Sequence, residues 1–467
     1  MLILSQSSFA QKEALTESIV KRSDASWKMA KQIWEWAEPG YQEKKSAALL
    51  ADTLEKAGFK VERGVAKIPT AFTATFGEGK PVIGILGEYD ALPELAQSTD
   101  TFRKRLPGNG YGHACGHHLF GVASASACIA IKEQIENGKI KGTIRFYGCP
   151  AEEGGGAKAF MVRDGLFKDC DAVLHWHPSA RNSSGEGSSM ARIGVKFRFH
   201  GTQAHAAASP EKGRSALDAV QLTCHASELL REHCPDFTRI HHVITHGGGG
   251  APNVVPEFAE VYFYIRHPRS DVVAKLYPRL LKCAQGAALA TETKLELNYQ
   301  GGIMELMPND TLAELTRTNL IKLNDLQYDA EETKFALRIQ ETFEEKVPLD
   351  MVKQVYNTSG LLGKGSTDVG DVSWVVPTIG ISTCCWVPGS SAHSWQAVAA
   401  GGTTIGRKGM HLAAKTLAAT AWDLYQSPKI IEAAKDEQKR RLETRQYKSF
   451  MEKDQLPPFD YRDLPKR

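Results

Sequence analysis

Short apolar runs that end in polar, chemically reactive residues constrain the fold of this chain more than any other feature of its sequence. Residues 82–86 are an apolar run that ends at Gly87, which is typical of a β-strand buried on both faces. A small-residue helix at 122–134 and a second strand at 142–149 follow. Because strands alternate with helices, we predict an α/β sheet with helices on both faces. Polar residues directly after such strands meet at one edge of the sheet, where open α/β sheets hold their sites.

The pattern changes after Asn182. A strand, a helix, two strands, a helix and a strand succeed one another between Arg192 and Tyr299, which is the order of a split βαβ (ferredoxin-like) sandwich. A chain of 467 residues also exceeds what one hydrophobic core usually holds. We therefore predict a two-domain protein. A mixed α/β domain would be formed by residues 1–190 and 302–467, and an inserted domain by residues 191–301.

Composition excludes several classes of partner. The formal net charge of +3 is spread along the chain, so neither nucleic acid nor an anionic membrane surface is indicated. No apolar run is long enough to span a bilayer. The nine cysteines are an odd count without regular spacing, which argues against a disulfide framework and for a reducing compartment or individual roles.

The two ends of the chain carry separate predictions. Residues 2–4 followed by residues 8–10 could be the stub of a secretory signal peptide, but the apolar part is short and lacks a basic leader. We therefore predict a frayed N-terminus and a cytoplasmic protein, with an exported or periplasmic protein as the alternative. The tail from Ser427 is rich in charged residues, which predicts a solvated helix and a loose end.

Five segments contain the residue types that carry out chemistry. They are residues 87–93, 112–118, 149–156, 175–178 and 391–396. Cys, His and Glu recur in them, and these are the ligands that a borderline divalent ion prefers. Taken singly, a Cys-Gly-His loop is usually only a loop, and a pair of glutamates is usually solvated surface. Glu152 and Glu153, however, lie between an apolar strand and three glycines, which let the backbone approach a ligand closely.

Five stretches, residues 87–93, 113–118, 149–156, 199–220 and 366–396, resemble the M20 metallopeptidase and amidohydrolase family, in particular its branch of aminoacylases and aminobenzoyl-glutamate hydrolases. The similarity follows the expected order and spans nearly the whole chain. It implies that residues 1–190 and 302–467 form a catalytic metal-binding domain, and that residues 191–301 form a lid and dimerisation domain.

The resemblance also implies a site for two divalent metal ions, manganese or zinc. Its five ligands would be Cys115 as the bridging thiolate, His117, Glu153, His177 and His393. Glu152 would be the general base that takes a proton from water, and Asp90 would orient a ligand. Two such ions polarise an amide carbonyl and lower the pKa of water, while the neighbouring glutamate moves the proton.

Three residues of the inserted domain have implied roles near the substrate. His205 would reach the partner subunit's site and stabilise the oxyanion, although it could instead cap the helix that follows. Asn253 and Arg266 would hold the substrate's carboxylate, because a planar guanidinium meets a carboxylate with two hydrogen bonds. Arg266 could equally be a salt-bridged strand residue.

Two assignments stay open at this point. His175 competes with His177 as a ligand because both lie in the short stretch before Pro178. Glu88 lies where other branches of the family use a metal-binding histidine, so its role is open.

The sequence therefore predicts a metal-dependent amidohydrolase that cleaves N-acyl or N-aroyl amino acids such as aminobenzoyl-glutamate. Its substrate would be a small amide with a free carboxylate, and its assembly a homodimer or a heteromer with a homologous subunit. A dipeptidase and a non-catalytic partner subunit of the same fold are the alternatives, although no base or ligand is lost. A hydrolase with Cys115 as its nucleophile would need a His base, and would leave Glu152 and Glu153 without a purpose.

Overall fold

The computed structural model describes residues 6–185 and 187–462, with side chains from residue 12 onward. Residues 1–5, which belong to the predicted frayed N-terminus and to its alternative, the signal-peptide stub, lie outside this range. The described chain divides into two compact units. The first comprises the residues up to Gly187, Met307–Leu361 and Val372–Tyr447. The second comprises Ser188–Leu306, Leu362–Asp371 and the residues from Lys448 onward.

Strands and helices alternate along most of the described chain. The strands are β1 (Lys60–Arg63), β2 (Phe72–Glu78), β3 (Val82–Glu88), β4 (Gly142–Cys149), β5 (Ala172–Ser179), β6 (Asn182–Ser184), β7 (Ala191–His200), β8 (Arg239–His246), β9 (Phe258–His267), β10 (Lys294–Ile303), β11 (Val355–Asn357) and β12 (Thr378–Cys384). The helices are α1 (Gln6–Lys21), α2 (Ser23–Trp36), α3 (Lys44–Lys56), α4 (His117–Glu136), α5 (Ala157–Arg163), α6 (Ala216–Arg231), α7 (Ser270–Ala290), α8 (Asp310–Leu323), α9 (Ala330–Gln340), α10 (Val369–Val375), α11 (Trp395–Gly401), α12 (Thr404–Gln426) and α13 (Pro428–Leu442).

The first unit is built on a mixed sheet with the spatial order β1-β2-β4-β3-β5-β12-β6-β11. The four neighbours β4, β3, β5 and β12 run parallel, so their carboxyl ends share one edge. β3 is buried along its whole length, as its uninterrupted apolar run predicts. α4 packs on β3, β4 and β5, and α12 packs on β5 and β12. The predicted mixed α/β architecture is confirmed.

The second unit contains a four-stranded antiparallel sheet with the order β10-β7-β9-β8. Along the chain its elements follow as β7-α6-β8-β9-α7-β10. Alternate residues of β7 and β9, such as Phe197 and Val261, are fully buried and share a core with residues of α6 and α7. This is the split βαβ arrangement, so the ferredoxin-like prediction is confirmed.

The helix predicted in the charged tail is present as α13, whereas the segment beyond it is packed, so the prediction of a loose end is wrong for its described part. α13 buries Ile431 and Ala434 and packs against α8. Further on, Met451 is buried in the second unit, where the Tyr299 hydroxyl donates to the Phe450 carbonyl (3.0 Å). The few apolar residues of this charged segment decide its position, because burying them is favourable even when most neighbours are charged.

The second unit is correspondingly larger than the inserted segment expected from the sequence. Besides the tail, it includes Leu362–Asp371. The carboxylate of Asp371 accepts the backbone N–H of Met304 (3.0 Å), and Leu362 forms a bridge with Ser188. Contacts between residues so distant in sequence leave no periodic pattern from which a boundary could be predicted.

Within the described ranges, no helix combines the length and the apolar character needed to cross a membrane.

Candidate metal centre

The residues predicted to carry chemistry in the first unit follow the parallel strands. Asp90 follows β3, Glu152 and Glu153 follow β4, and His177 lies near the end of β5. The loop after β12 carries His393. Because these strands are parallel neighbours, their carboxyl ends bring the side chains to one edge of the sheet.

A sharp turn at the start of α4 brings Cys115 and His117 to the same edge. Gly116 precedes the helix in the left-handed conformation (φ 77°), and a Cβ added there would lie 2.6 Å from Pro178 Cβ. The backbone of His393 is tied to this turn as well, since its N–H donates to the Ala114 carbonyl (3.1 Å). The sequence prediction of a helix at 122–134 therefore began too late, because the turn at Gly116 starts it at His117.

Two groups of potential metal ligands share one thiol. Cys115, His117 and His177 form the first group, and Cys115, Glu153 and His393 form the second. Within each group the ligand atoms lie within 4.8 Å of one another. Cys115 Sγ is 3.3 Å from His177 Nε2, and His393 Nε2 is 3.2 Å from Glu153 Oε1. The structure thus brings together all five side chains that the resemblance implies as ligands.

The ring of His177 is oriented for this role. Its Nδ1 lies 2.7 Å from the Pro178 carbonyl, to which an N–H at that position donates. The other nitrogen, Nε2, is then a lone-pair acceptor, and it faces Cys115 Sγ. His175 is not a member of either ligand group found among the described residues.

Asp90 connects two of the candidate ligands. It is 1% exposed, its Oδ1 lies 2.9 Å from His117 Nδ1, and its Oδ2 accepts the backbone N–H of Glu153 (3.0 Å). Burial alone would raise the pKa of Asp90, but the charge and hydrogen bond of His117 outweigh it and lower the pKa to about 2. An ionised Asp90 holds a proton of His117 on Nδ1, so that Nε2 is the ring nitrogen that would bind a metal ion.

Glu88 and Lys158 form a buried ion pair that the sequence analysis did not predict. Lys158 Nζ is fully buried and lies 2.7 Å from Glu88 Oε1, while Glu88 Oε2 lies 3.1 Å from His117 Nε2. Glu88, His117 and Glu152 also form a third group of potential ligands. A lysine among small residues, two positions after three glycines, was the sequence feature that could have indicated a buried cation here.

Glu43 is a second residue that the sequence analysis missed. It is completely buried, and its carboxyl group accepts the N–H of Ala151 (2.8 Å) and the hydroxyl of Thr70 (3.0 Å). Burial, reinforced by the negative charge of Asp90, raises the pKa of Glu43 to about 8. No local pattern distinguishes this glutamate from the exposed ones of the same region.

The charge balance of the site suits divalent cations. Although burial lowers it, the pKa of His117 is raised well above its usual value by the charges of Cys115, Glu88 and Asp90. His117 Nε2 is buried and makes no hydrogen bond within the described part of the chain. The excess of negative charge around this buried imidazole favours positive charge at Nε2, where a divalent ion would replace the proton.

The same electrostatics argue against a cysteine nucleophile. Burial and the charge of Glu153 raise the pKa of the Cys115 thiol well above its usual value. Burial also lowers the pKa of His177, whose Nε2 lies 3.3 Å from the Cys115 sulfur. A thiolate–imidazolium pair is therefore disfavoured, whereas reactive cysteines need a lowered pKa.

His205, Asn253 and Arg266 lie in the second unit. His205 is exposed, and its Nδ1 accepts the N–H groups of Ala207 (3.2 Å) and Ala208 (3.1 Å). The following helix α6 is capped by another residue, Ser215. Asn253 is exposed on the segment that pairs with His205.

Arg266 lies on β9 and is half-buried. Its Nη1 donates to Ser366 Oγ (2.9 Å), and its guanidinium carbon lies 5.4 Å from the centre of the Tyr264 ring.

Comparison with known proteins identifies the family. Residues 84–398 match the model of peptidase family M20/M25/M40. The chain belongs to this family. It is 40% identical to one of the subunits of p-aminobenzoyl-glutamate hydrolase from Escherichia coli (strain K12), covering 92% of this chain and 95% of that protein. The mouse Xaa-Arg dipeptidase is 28% identical, with 94% of this chain and 96% of that protein covered.

A solved M20 structure from Bacillus subtilis, a dinuclear metal-binding peptidase, shares the fold. It superposes with a TM-score of 0.56 at 16% identity, covering 89% of this chain and 99% of that one. The resemblance to the family branch of aminobenzoyl-glutamate hydrolases, inferred above from the sequence, is confirmed by this similarity. The protein is therefore an M20 hydrolase that acts on amides.

Proposed function

We propose that the protein is a two-metal amidohydrolase that cleaves N-acyl or N-aroyl amino acids such as aminobenzoyl-glutamate. The single observation that carries the proposal is the pair of ligand groups joined at Cys115. A thiolate shared by two such groups suits two neighbouring divalent ions, manganese or zinc, better than it suits one. The 40% identity to the Escherichia coli aminobenzoyl-glutamate hydrolase chain supports the substrate class.

The metals and the chain would divide the chemistry between them. Two divalent ions, when bound, polarise the amide carbonyl and make water acidic enough to react near neutral pH. Cys115 would bind both ions, His117 and His177 would complete one site, and Glu153 and His393 the other. Asp90 would hold His117 in the orientation and tautomer that binding requires.

Glu152 would be the general base. It belongs to neither ligand group that contains Cys115, but it lies in the group with Glu88 and His117. Its carboxylate would take a proton from the attacking water as the oxygen bonds to the carbonyl carbon. The same proton would pass to the leaving nitrogen when the carbon–nitrogen bond breaks.

His205 would stabilise the oxyanion in the site of a partner subunit. Because its Nδ1 accepts two backbone N–H groups, the neutral ring carries its proton on Nε2. An exposed N–H of this kind is the donor that a developing oxyanion needs. This role implies an oligomer, either a homodimer or a heteromer with a homologous subunit.

Asn253 and Arg266 would hold the carboxylate of the substrate. Arg266 already donates to Ser366 and lies near the Tyr264 ring, which restricts its side chain. A restricted guanidinium loses less entropy when it forms two hydrogen bonds to a carboxylate.

The test is hydrolysis of aminobenzoyl-glutamate, other N-acyl amino acids and dipeptides by the metal-stripped enzyme, with and without added manganese or zinc. We expect activity to require metal, with about two ions bound per chain, and Glu152→Gln to lower kcat by about 100- to 10,000-fold. Glu62→Gln, on the exposed strand β1, is the matched control and should be fully active.

Each other outcome contradicts part of the proposal. Full activity of Glu152→Gln would refute the base, and full activity without metal would refute the two-metal mechanism. Preference for dipeptides would move the substrate toward that of the mouse relative. Metal binding without any hydrolysis would favour the non-catalytic partner subunit.

A further inference from the structure

The turn that carries Glu152 and Glu153 is held by a segment far away in the sequence. Residues 151–156, here called the catalytic turn, contact residues 38–43, here called the supporting segment. The two are separated by more than a hundred residues, since Glu43 lies 108 positions before Ala151.

The catalytic turn begins in an unfavourable conformation. Ala151 has φ 51°, in the left-handed region that a residue with a Cβ rarely adopts. Within the turn, the N–H of Gly156 donates to the Ala151 carbonyl (2.9 Å). One such bond does not by itself force the left-handed conformation, which persists only where the surroundings fix it.

Glu43 holds Ala151 in this conformation. One of its oxygens accepts the N–H of Ala151 (2.8 Å), and the other accepts the Thr70 hydroxyl (3.0 Å). Glu43 is 0% exposed, so water does not compete for either bond. The carboxyl group is therefore held at both oxygens, and it holds Ala151 in turn.

Two further contacts hold the rest of the catalytic turn. The Tyr41 hydroxyl, also in the supporting segment, donates to the Gly155 carbonyl (2.7 Å). Asp90 accepts the N–H of Glu153 (3.0 Å). The turn is thus fixed at positions 151, 153 and 155, and Glu152 lies between the first two fixed points.

We propose that Glu43 is a positioning residue that, by fixing Ala151, aims the carboxylate of Glu152 at the attacking water. This inference rests on the proposed function, in which Glu152 is the general base. Glu43 itself touches no reacting atom. It acts through Ala151, which directly precedes Glu152 in the chain. An error of about 1 Å in the position of a catalytic group can cost about 100-fold in rate, so a single missing support is sufficient for a large effect.

The experiment compares Glu43→Ala, Glu43→Gln and a matched control, Glu437→Ala. Glu437 is also buried, and it accepts the N–H groups of Asp310 and Thr311 (2.7 and 2.8 Å) and the Thr311 hydroxyl (2.7 Å) at the start of α8. Like Glu43, it accepts backbone N–H and threonine hydroxyl groups, but it also pairs with Arg441 (2.8 Å) and supports a helix instead of the catalytic turn. kcat, KM, bound metal per chain and Tm are measured for each variant.

We expect Glu43→Ala to lower kcat by about 10- to 100-fold, with KM and the bound metal unchanged. Glu43→Gln keeps an acceptor for Ala151 and should stay within about threefold of the parent. Glu437→Ala should lower Tm at unchanged kcat. A Glu43→Ala enzyme with full kcat, with lost metal, or with the same profile as Glu437→Ala would overturn the proposal, and so would a Glu43→Gln enzyme as slow as Glu43→Ala.

A double mutant separates positioning from a general structural role. If Glu43 acts through Glu152, adding Glu43→Ala to Glu152→Gln should cost less than about twofold in residual kcat. A full additional loss would overturn the proposal. Should Glu43→Ala not fold, Thr70→Val removes one of the two bonds of Glu43, and it should lower kcat by about threefold at unchanged KM; unchanged kcat would count against the proposal.

The two proposals fail in different ways. Full activity of Glu152→Gln would refute the proposed base, whatever Glu43 does. An inactive Glu152→Gln beside a fully active, folded Glu43→Ala would refute only the positioning role.

Discussion

The proposed functional residues of the two units are held in opposite ways. In the first unit, Asp90 and His117 are 1% and 0% exposed, and their partners come from distant parts of the chain. In the second, His205 is exposed, and its ring accepts hydrogen bonds from the backbone two and three residues further on. The first arrangement fixes charges before any ligand arrives, whereas the second presents a donor that can be removed without disturbing a core.

This difference teaches where mutations should affect stability and where they should affect only catalysis. Buried polar groups with several partners contribute to both, because removing one leaves another buried group unsatisfied. An exposed side chain on a local turn contributes to the reaction alone. The four predictions below test this division, from the largest expected effect to the smallest.

The largest effect is expected for Cys115→Ala, because Cys115 is the residue that the group with His177 and the group with Glu153 share. Bound metal should fall from about two ions per chain to fewer than about one, and hydrolysis should become undetectable. Elemental analysis and the hydrolysis assay measure both. Cys128→Ala, which removes another fully buried thiol from α4, is the control and should keep its metal.

Lys158→Met tests whether the first unit depends on its buried charges. Removing the cation leaves Glu88 buried beside His117, so we expect a loss of about 3–5 kcal/mol in the free energy of unfolding. Arg63→Met breaks exposed ion pairs to Asp52 and Glu55, and should cost less than about 1 kcal/mol. Urea denaturation of the metal-free proteins measures both losses. Equal losses in the free energy of unfolding would contradict the predicted difference between buried and exposed charges.

His205→Ala tests the opposite case in the second unit. Loss of one oxyanion donor should lower kcat/KM by about 100- to 1,000-fold. Tm and bound metal should not change, because the side chain is exposed and its hydrogen bonds are local. His225→Ala, exposed on α6, serves as the control. A fall in Tm comparable with that of Lys158→Met would contradict the prediction that the exposed His205 affects catalysis and leaves stability unchanged.

The smallest effect concerns pH. Burial, followed by the charge of Arg407, lowers the pKa of His411 to about 4 in the folded protein. Between this value and the unfolded value near 6.5, the unfolded chain binds the proton more tightly, so the contribution of His411 to stability is complete above pH 6.5 and is lost toward pH 4.

His411→Gln should therefore lose about 1 kcal/mol less than the parent between roughly pH 7.5 and pH 5.5. Urea denaturation at both pH values measures the difference. Parallel losses in the two proteins would show that this buried histidine is not a source of acid lability.

Much of the fold was predictable because it is encoded locally. The apolar run of β3, and the alternating pattern of β7 and β9, each specify a strand and the faces it buries. The start of α4 was predicted too late, since the left-handed Gly116 that begins it is required by the distant Pro178, whose Cβ leaves no room for a side chain there. The packed tail was missed because Met451 and Phe450 are isolated apolar residues in a charged sequence.

The candidate site divides in the same way. The types and spacing of Cys115, Glu152 and Glu153 indicate metal and acid–base chemistry without any structure, because few other roles call for them after buried strands. The small residues around Lys158 mark the lysine without indicating its partner, and Glu43 has no such local pattern. Their partners, Glu88 and Ala151, lie 70 and 108 positions away along the chain.

The sequence by itself therefore determined the family, the order of the elements and the chemical types at the strand ends, since each depends on residues close together in the chain. Only the tertiary structure decided that Cys115 joins two ligand groups, that His177 faces it through Nε2, and that Glu43 supports the turn before the two glutamates. The physical reason is that burial and hydrogen bonding act between neighbours in space. A side chain acquires its partner, its pKa and its role when the parallel strands bring distant segments to one edge of the sheet.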